Sequence, residues 1–471
     1  MKAENSSGSK PEAKETSSGT RDMTTGSPAK LMLGFFFPML LGMLFQQFYN
    51  MVDTIIVGKY LGVNALAAVG TTGSINFMVI GFCMGVCNGF AIPVAQKFGE
   101  KNYRQLRKFV ANGAWLSIAF AVVMTVAVCV LCRDILVWMN TPEDIIDGAY
   151  DYIFVIFLGI PATYLYNMVS GVIRSLGDSK TPLYFLVISS VINIVLDVYM
   201  IVVLKMGVAG AAWATVIAQA GSGIGCLVFM KKRYEVLHMT REEAQPDRDM
   251  MRVLFGMGVP MGLQYSITAI GSVILQTAVN GLGSMAVAAV TAGSKIGMFF
   301  CCPFDALGST MATYGGQNIG AKKLDRISKG LKAAVWMGAG YSVIALAVLS
   351  LFGPTISLLF LDAGQEEILG QVQQFLVINA AFYFPLALVN IVRFLIQGMG
   401  YSKLAVLAGV CEMFARSLAG FCLVPVIGYV AVCLSSPLAW IAADLFLVPS
   451  YFKIMRRLKR QWGEAQGRAV R

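Results

Sequence analysis

Gln46-Gln47-Phe48-Tyr49-Asn50-Met51-Val52-Asp53-Thr54-Ile55-Ile56-Val57-Gly58 sits inside an apolar run from residue 31 to 57. That run is long enough for a membrane-spanning helix, which needs ~20 residues to cross the hydrocarbon core. At about 3.6 residues per turn, Gln46, Tyr49, Asn50 and Asp53 share one helical face, so the span carries a polar stripe that ends in a carboxylate. An ionised Asp within a span costs ~2.5–3.5 kcal/mol and needs a partner, a proton or a water-filled cavity. A packing hydrogen bond to a neighbouring helix would also satisfy it, and the stretch alone leaves both roles open.

Hydrophobic residues make up 57% of the 471-residue chain and charged ones 13%, against roughly a quarter charged in soluble domains. With no soluble stretch long enough to bury its own core, the chain reads as an all-α, polytopic membrane protein. A net charge of +11 would by itself suggest nucleic acid. Most Lys and Arg residues, however, lie in the two tails and in alternate inter-helix loops. This is the positive-inside pattern, and it explains the charge with the lipid bilayer as partner and no nucleic acid.

The ten cysteines lie mostly in apolar segments, without paired CxxC motifs, and there is one histidine, His238. Neither a hydrolytic triad nor a zinc site can be assembled from this set, so an enzyme is not expected.

Residues 1–30 read as a disordered cytoplasmic tail. Twelve apolar segments follow, six in an amino-terminal lobe (31–230) and six in a carboxy-terminal lobe (251–454), joined by a cytoplasmic linker (231–250). A basic tail, 455–471, closes the chain. Loops after even-numbered segments carry Lys101, Arg104, Arg107, Arg174, Lys180, Lys231, Lys322 and Arg326. Opposite loops carry Asp134, Glu143, Asp144, Asp147, Asp362, Glu366 and Glu367. A multi-pass protein of the cell membrane with both termini inside follows from this alternation.

The two halves are related. An offset of 221 superposes Ala65, Ala67, Ala68 and Val69 on Ala286, Ala288, Ala289 and Val290, and Gln96, Gly99 and Lys101 on Gln317, Gly320 and Lys322. At 223, Ile173, Gly177, Ser179 and Lys180 meet Ile396, Gly400, Ser402 and Lys403. Each half holds an even number of segments, so the repeats are parallel. Two pseudo-symmetric six-helix lobes around a central cavity suit alternating access.

In segment 5, Asn193 and Asp197 are spaced to share a helical face, and segment 6 adds Thr215. With Asp53 they supply hard oxygen donors of the kind that suit a hard cation. Asn193 bonding a neighbouring helix and Thr215 bonding its own i−4 carbonyl are the plainer readings of those two taken singly.

Pro38, NMVDTIIVGKYLGVNALAAVG, QKFGEKN, IRSLGDSKTP, NIVLD, GVAGAAWAT and GQNIGAKK together resemble the multidrug and toxic compound extrusion (MATE) transporters, bacterial type, over nearly all of residues 31–455. The resemblance implies secondary active efflux of small cationic or amphipathic compounds, exchanged for sodium ions or protons, with no other cofactor or metal. It also implies cation binding by Asp53, Asn193, Asp197 and Thr215, which match the family's sodium-binding branch. A monomer is expected. Gln46, Tyr49 and Asn50 are candidate substrate contacts, with helix packing as the alternative for Gln46 and Tyr49, and Pro38 is a candidate bending point.

Segment 7 has no acid, which argues against a carboxy-lobe cation site resting on a helix-7 glutamate. That lobe offers Lys295, Asp305, Glu412 and Arg416, of which Glu412 and Arg416 are spaced to pair along one helix. Lys295 and Asp305 cannot pair with each other and have no assigned role. A flippase for a lipid-linked precursor is the alternative within the superfamily. It would carry a strongly basic cavity, whereas Lys295 and Arg416 are the bases read as lying well inside the apolar segments.

Overall fold

The computed structural model describes residues 19–139, 141–359 and 364–469, and among these every regular element is helical. The amino-terminal half holds α1 (Pro28–Leu61), α2 (Val63–Thr71), α3 (Gly73–Gly99), α4 (Tyr103–Val130), α5 (Cys132–Trp138), α6 (Ile146–Leu158), α7 (Ile160–Ser175), α8 (Lys180–Val198) and α9 (Val208–Arg233). The second half holds α10 (Arg248–Asn280), α11 (Ser284–Gly320), α12 (Leu324–Ser357), α13 (Glu366–Ala381), α14 (Tyr383–Gly398), α15 (Ser402–Leu418), α16 (Val424–Ile427) and α17 (Tyr429–Ala469). Residues 1–18, 470–471 and Asp362 lie outside the described residues.

Among the described residues ten helices are individually long and apolar enough to cross a bilayer, and two bent pairs, α6 with α7 (45°) and α13 with α14 (51°), bring the number to twelve when each pair is taken as one span. The bends fall just before Pro161 and Pro385. Each proline lacks the N–H that would close the preceding helical turn, so the chain changes direction there. Five-residue π-helical turns, Tyr199–Val203 and Ala419–Leu423, prolong α8 and α15.

The internal repeat is written into the backbone as well as the sequence. Left-handed residues recur at the two spacings found in the alignment: Gly62 and Gly283 (φ 85° and 99°), Lys101 and Lys322 (61° and 59°), Gly207 and Gly428 (63° and 58°), and Gly177 and Gly400 (84° and 99°). Two lysines in this region, where a β-carbon is strained, show that the turn after α3 and its equivalent after α11 are fixed by their surroundings.

Those two turns lie where the lobes meet, on the face that carries both termini. A β-carbon on Gly99 would collide with the Gln317 carbonyl, and one on Gly320 with the Gln96 carbonyl. Backbone contact brings the side chains across: Gln96 Nε2 donates to Gly398 O at 3.0 Å and Gln317 Nε2 to Ser175 O at 2.9 Å. The residues that the alignment pairs are therefore the residues that touch.

Residues 19–27 cross this seam, which corrects the reading of the whole 1–30 stretch as a disordered tail. The Arg21 N–H donates to Leu176 O at 3.0 Å on one lobe. On the other, the Met23 N–H donates to Gln317 Oε1 at 2.8 Å, and Lys323 Nζ donates to Thr24 O at 2.8 Å. Met23 is fully buried, and with Met32 and Phe35 it belongs to the carboxy-lobe core. The start of α1 thus packs in the second lobe. Beyond Pro38 the same helix packs on α8, where Gly42 faces Leu183 and Leu186.

The linker is also docked. Arg107 grips the Glu243 carboxylate through two nitrogens at 2.7 Å, and Asn112 Oδ1 accepts the Asp247 N–H at 2.7 Å. Hydrogen bonds from Arg107 pull the Glu243 carboxyl down to about 2. That clasp is complete above the ordinary glutamate range and is lost only as pH falls towards 2. At the other end of the chain, α17 continues to Ala469 through most of the stretch read as a tail.

Gly99→Ala is expected to destabilise the purified protein by about 1–3 kcal/mol, the usual cost of overpacking. Gly70, with open space around its α-carbon, serves as the control, and Gly70→Ala should be neutral or stabilising by up to ~1 kcal/mol. Thermal unfolding in detergent compares the two, and equal melting temperatures would remove the seam as a steric constraint.

Candidate functional site

A cavity of about 380 Å3 opens between the lobes and is walled mainly by the first. Helix α1 contributes the whole polar face read from the sequence: Gln46, Tyr49, Asn50 and Asp53, with Pro38 further along. Pro38 and Asp53 are separated by about 22 Å at a rise of ~1.5 Å per residue, so the cavity follows most of one span. The second lobe adds Met261, Tyr265 and Thr313.

Asp53, Asn193 and Thr215 come together at one end of this cavity from α1, α8 and α9. Asp197, one turn beyond Asn193, lies behind them and is fully buried. The Asp53 and Asp197 carboxyl groups are within hydrogen-bonding reach of each other, and Tyr152 stands close to both. Asn193 Nδ2 donates to Thr215 Oγ1 at 3.3 Å, and Thr215 Oγ1 in turn donates to Ala211 O at 3.1 Å.

Both packing interactions weighed for Asn193 and Thr215 are therefore present, but they account for donors only. The acceptors Asp53 Oδ1, Asn193 Oδ1 and both Asp197 carboxylate oxygens are buried with no hydrogen-bond partner. Buried acceptors without donors cost ~1–3 kcal/mol each, and more when charged. This set of oxygens fits a small cation or a proton, either of which lets two adjacent carboxylates share a site.

The carboxy-terminal lobe is wired differently. Glu412 contacts Arg393 as well as Arg416, the latter at 4.0 Å. Both arginines and the glutamate are buried. The pairing of Glu412 with Arg416 expected from their spacing is thus the weaker half of a three-residue cluster. Arg393 was missed because it is a lone base in segment 10, with no neighbour along the helix to signal a pair. Asp305 is exposed and accepts from Asn390 Nδ2 at 3.2 Å, whereas Lys295 is exposed elsewhere on α11. Gln264 and Gln397 bond across the lobe at 2.6 Å.

Arg174 departs from its sequence reading as a loop cation. It occupies the last turn of α7 and lines the cavity at the end opposite Asp53, beside the seam-forming Ser175. Among the described residues that line the cavity it is the one base.

Comparison with known proteins agrees with this architecture. The chain matches the MatE family twice, over residues 38–199 and 260–421. It is 29% identical over 356 residues to the probable multidrug resistance protein YoeA of Bacillus subtilis, covering 74% of this chain and 76% of that protein. To YpnP of the same organism, also a probable multidrug resistance protein, it is 27% identical over 372 residues, covering 79% and 82%. A solved outward-facing multidrug resistance MATE family transporter superposes with a TM-score of 0.88 at 21% identity, covering 95% of this chain and all of that one.

Opposite responses to charge removal are expected in the two lobes. Glu412→Ala strands two buried guanidinium groups and should cost about 3–5 kcal/mol. Asp197→Asn relieves adjacent carboxylates and should change stability by less than ~1 kcal/mol or raise it. Thermal melts followed by tryptophan fluorescence read both, and an Asp197→Asn protein as unstable as Glu412→Ala would make Asp197 structural.

Proposed function

We infer the function of this protein from a membership that two family matches establish: the chain belongs to the MatE family, whose members are membrane transporters and not enzymes. The reading we favour is efflux of amphipathic or cationic small molecules by alternating access, driven by inward movement of sodium ions or protons, with a monomer as the working unit. The observation that carries it is the group of unpartnered buried oxygens on Asp53, Asn193 and Asp197, of which Asp53 and Asn193 line the cavity and Asp197 lies behind them. Names of relatives such as YoeA, a probable multidrug resistance protein, support drugs as the cargo.

Sodium is the lead coupling ion. A proton needs only the carboxylate pair, whereas the Asn193 carbonyl and the remaining lone pair of Thr215 are donors that an ion shell uses. An ion held by Asp53 and by Asn193, Asp197 and Thr215 links α1 to α8 and α9. Pro38 divides α1 into a part packed in the second lobe and a part packed on α8, so bending there would let the ion's arrival change how the lobes meet. Inward movement of one charge supplies ~2.3 kcal/mol per 100 mV. The lysine and arginine bias supports a cytoplasmic position for both termini.

A flippase for a lipid-linked precursor is less well supported. Arg393 and Arg416 are engaged with Glu412, Lys295 lies apart from the cavity, and among the described residues Arg174 is the one base that lines it.

Proteoliposomes loaded with a cationic dye and given a sodium or a proton gradient separately test the coupling. Asp53→Asn is expected to lower gradient-driven transport at least ~100-fold while leaving the protein folded, and the sodium gradient should drive the wild type. Wild-type rates in the Asp53→Asn vesicles would defeat the proposal.

A further inference from the structure

Every buried charge in the carboxy-terminal lobe's Arg393, Glu412 and Arg416 cluster has an opposite charge beside it. Arg174 does not. Its Nη2 donates to the neutral amide oxygen of Asn88 at 3.4 Å, and among the described residues it pairs with no carboxylate. A guanidinium presents five donors in a fixed fork suited to a carboxylate or a phosphate. Here nearly all of that capacity is unspent on the protein, in the last turn of α7 and facing the cavity.

The side chain does not turn out towards the loop. A β-carbon on Gly171, one turn back along α7, would lie 4.0 Å from Arg174 Nη2 and 3.3 Å from Ala91 on α3. The guanidinium therefore folds back along α7 over a glycine, into the cavity wall between α7 and α3. Asn88, Asn167, Ser175 and Ser179 line the same end, all neutral and polar. Asp53 stands at the far end, so the cavity is bipolar along its length.

We propose that Arg174 is an anion subsite, which takes the carboxylate or phosphate group of an amphipathic substrate while the rest of that molecule extends along the cavity towards Tyr49 and Asp53. The preferred cargo class is then amphiphiles with an acidic group, zwitterions included, rather than purely cationic compounds. This deepens the efflux reading and rests on it. An anion is recognised through two parallel N–H bonds from the fork, and a neutral ester of the same molecule offers no charge to hold.

A matched dye pair tests it: tetramethylrhodamine, a xanthylium cation with a free carboxylate, and its ethyl ester, which lacks the anion. Affinities of both are measured by fluorescence anisotropy on the full chain in phosphatidylcholine nanodiscs. The wild type should bind the free acid about tenfold tighter than the ester, the factor expected of one charged hydrogen-bonded contact. Arg174→Gln should bring that ratio to about one. Arg174→Lys, which keeps the charge and loses the fork, should give an intermediate ratio and carries the test should the glutamine variant not fold. Wild-type binding of both dyes at equal affinity, or a ratio untouched in Arg174→Gln, overturns the subsite and leaves the efflux reading standing. Failure of the wild type to bind either dye overturns both.

Discussion

At Gly99 and Gly320 two helix ends from opposite lobes meet backbone to backbone, and a single methyl group at either would collide with a carbonyl of the other lobe. That approach sets what surrounds it. It lets Gln96 and Gln317 reach carbonyls across the interface, and it holds the lobes together beside the Arg174 and Ser175 end of the cavity. Small residues permitting close helix contact are the usual means of association in a bilayer, where lipid tails compete with any purely apolar interface.

The pseudo-symmetry makes the inequality of the lobes informative. At the spacing that pairs Gly177 with Gly400, Asn193 falls on Arg416. One lobe thus has an uncharged acceptor beside a carboxylate where the other has a built-in cation beside one. In the second lobe the acid is neutralised by arginine. In the first, no base stands beside the carboxylates, and their oxygens are left without hydrogen-bond partners. The related backbone thus carries a built-in ion cluster on one side and an unneutralised pair of acids on the other.

The fold was legible because membrane constraints act on composition and period: span length, loop charge and the repeat needed no tertiary knowledge. The four oxygen donors were legible too, since a polar residue in a span has few reasons to be there. What stayed hidden depended on direction. Arg174 lies near a segment end, so its sequence position fits a loop anchor, and only its folding back over Gly171 puts it in the cavity. Arg393 has its partner on another helix. Residues 19–27 have a polar, flexible composition, yet they are ordered because Gln317, Asn318, Lys323 and Arg326 supply the bonds their backbone needs. No local pattern encodes a partner some 300 residues away.

Helix α1 gathers these threads. Its entry segment is bonded to both lobes, its first turns are buried in the second, and its outer half carries Asp53 against the first. A helix so tied cannot follow either lobe without disturbing the other. If the lobes part at the terminal face, the contacts of Arg21 with Leu176 and of Met23 with Gln317 cannot all persist. They would be exchanged for bonds to water at a net cost of about 0.5–1.5 kcal/mol each. That is comparable to the ~2.3 kcal/mol available from one charge crossing 100 mV. The strap is therefore of the same order in strength as the movement of one charge through that potential.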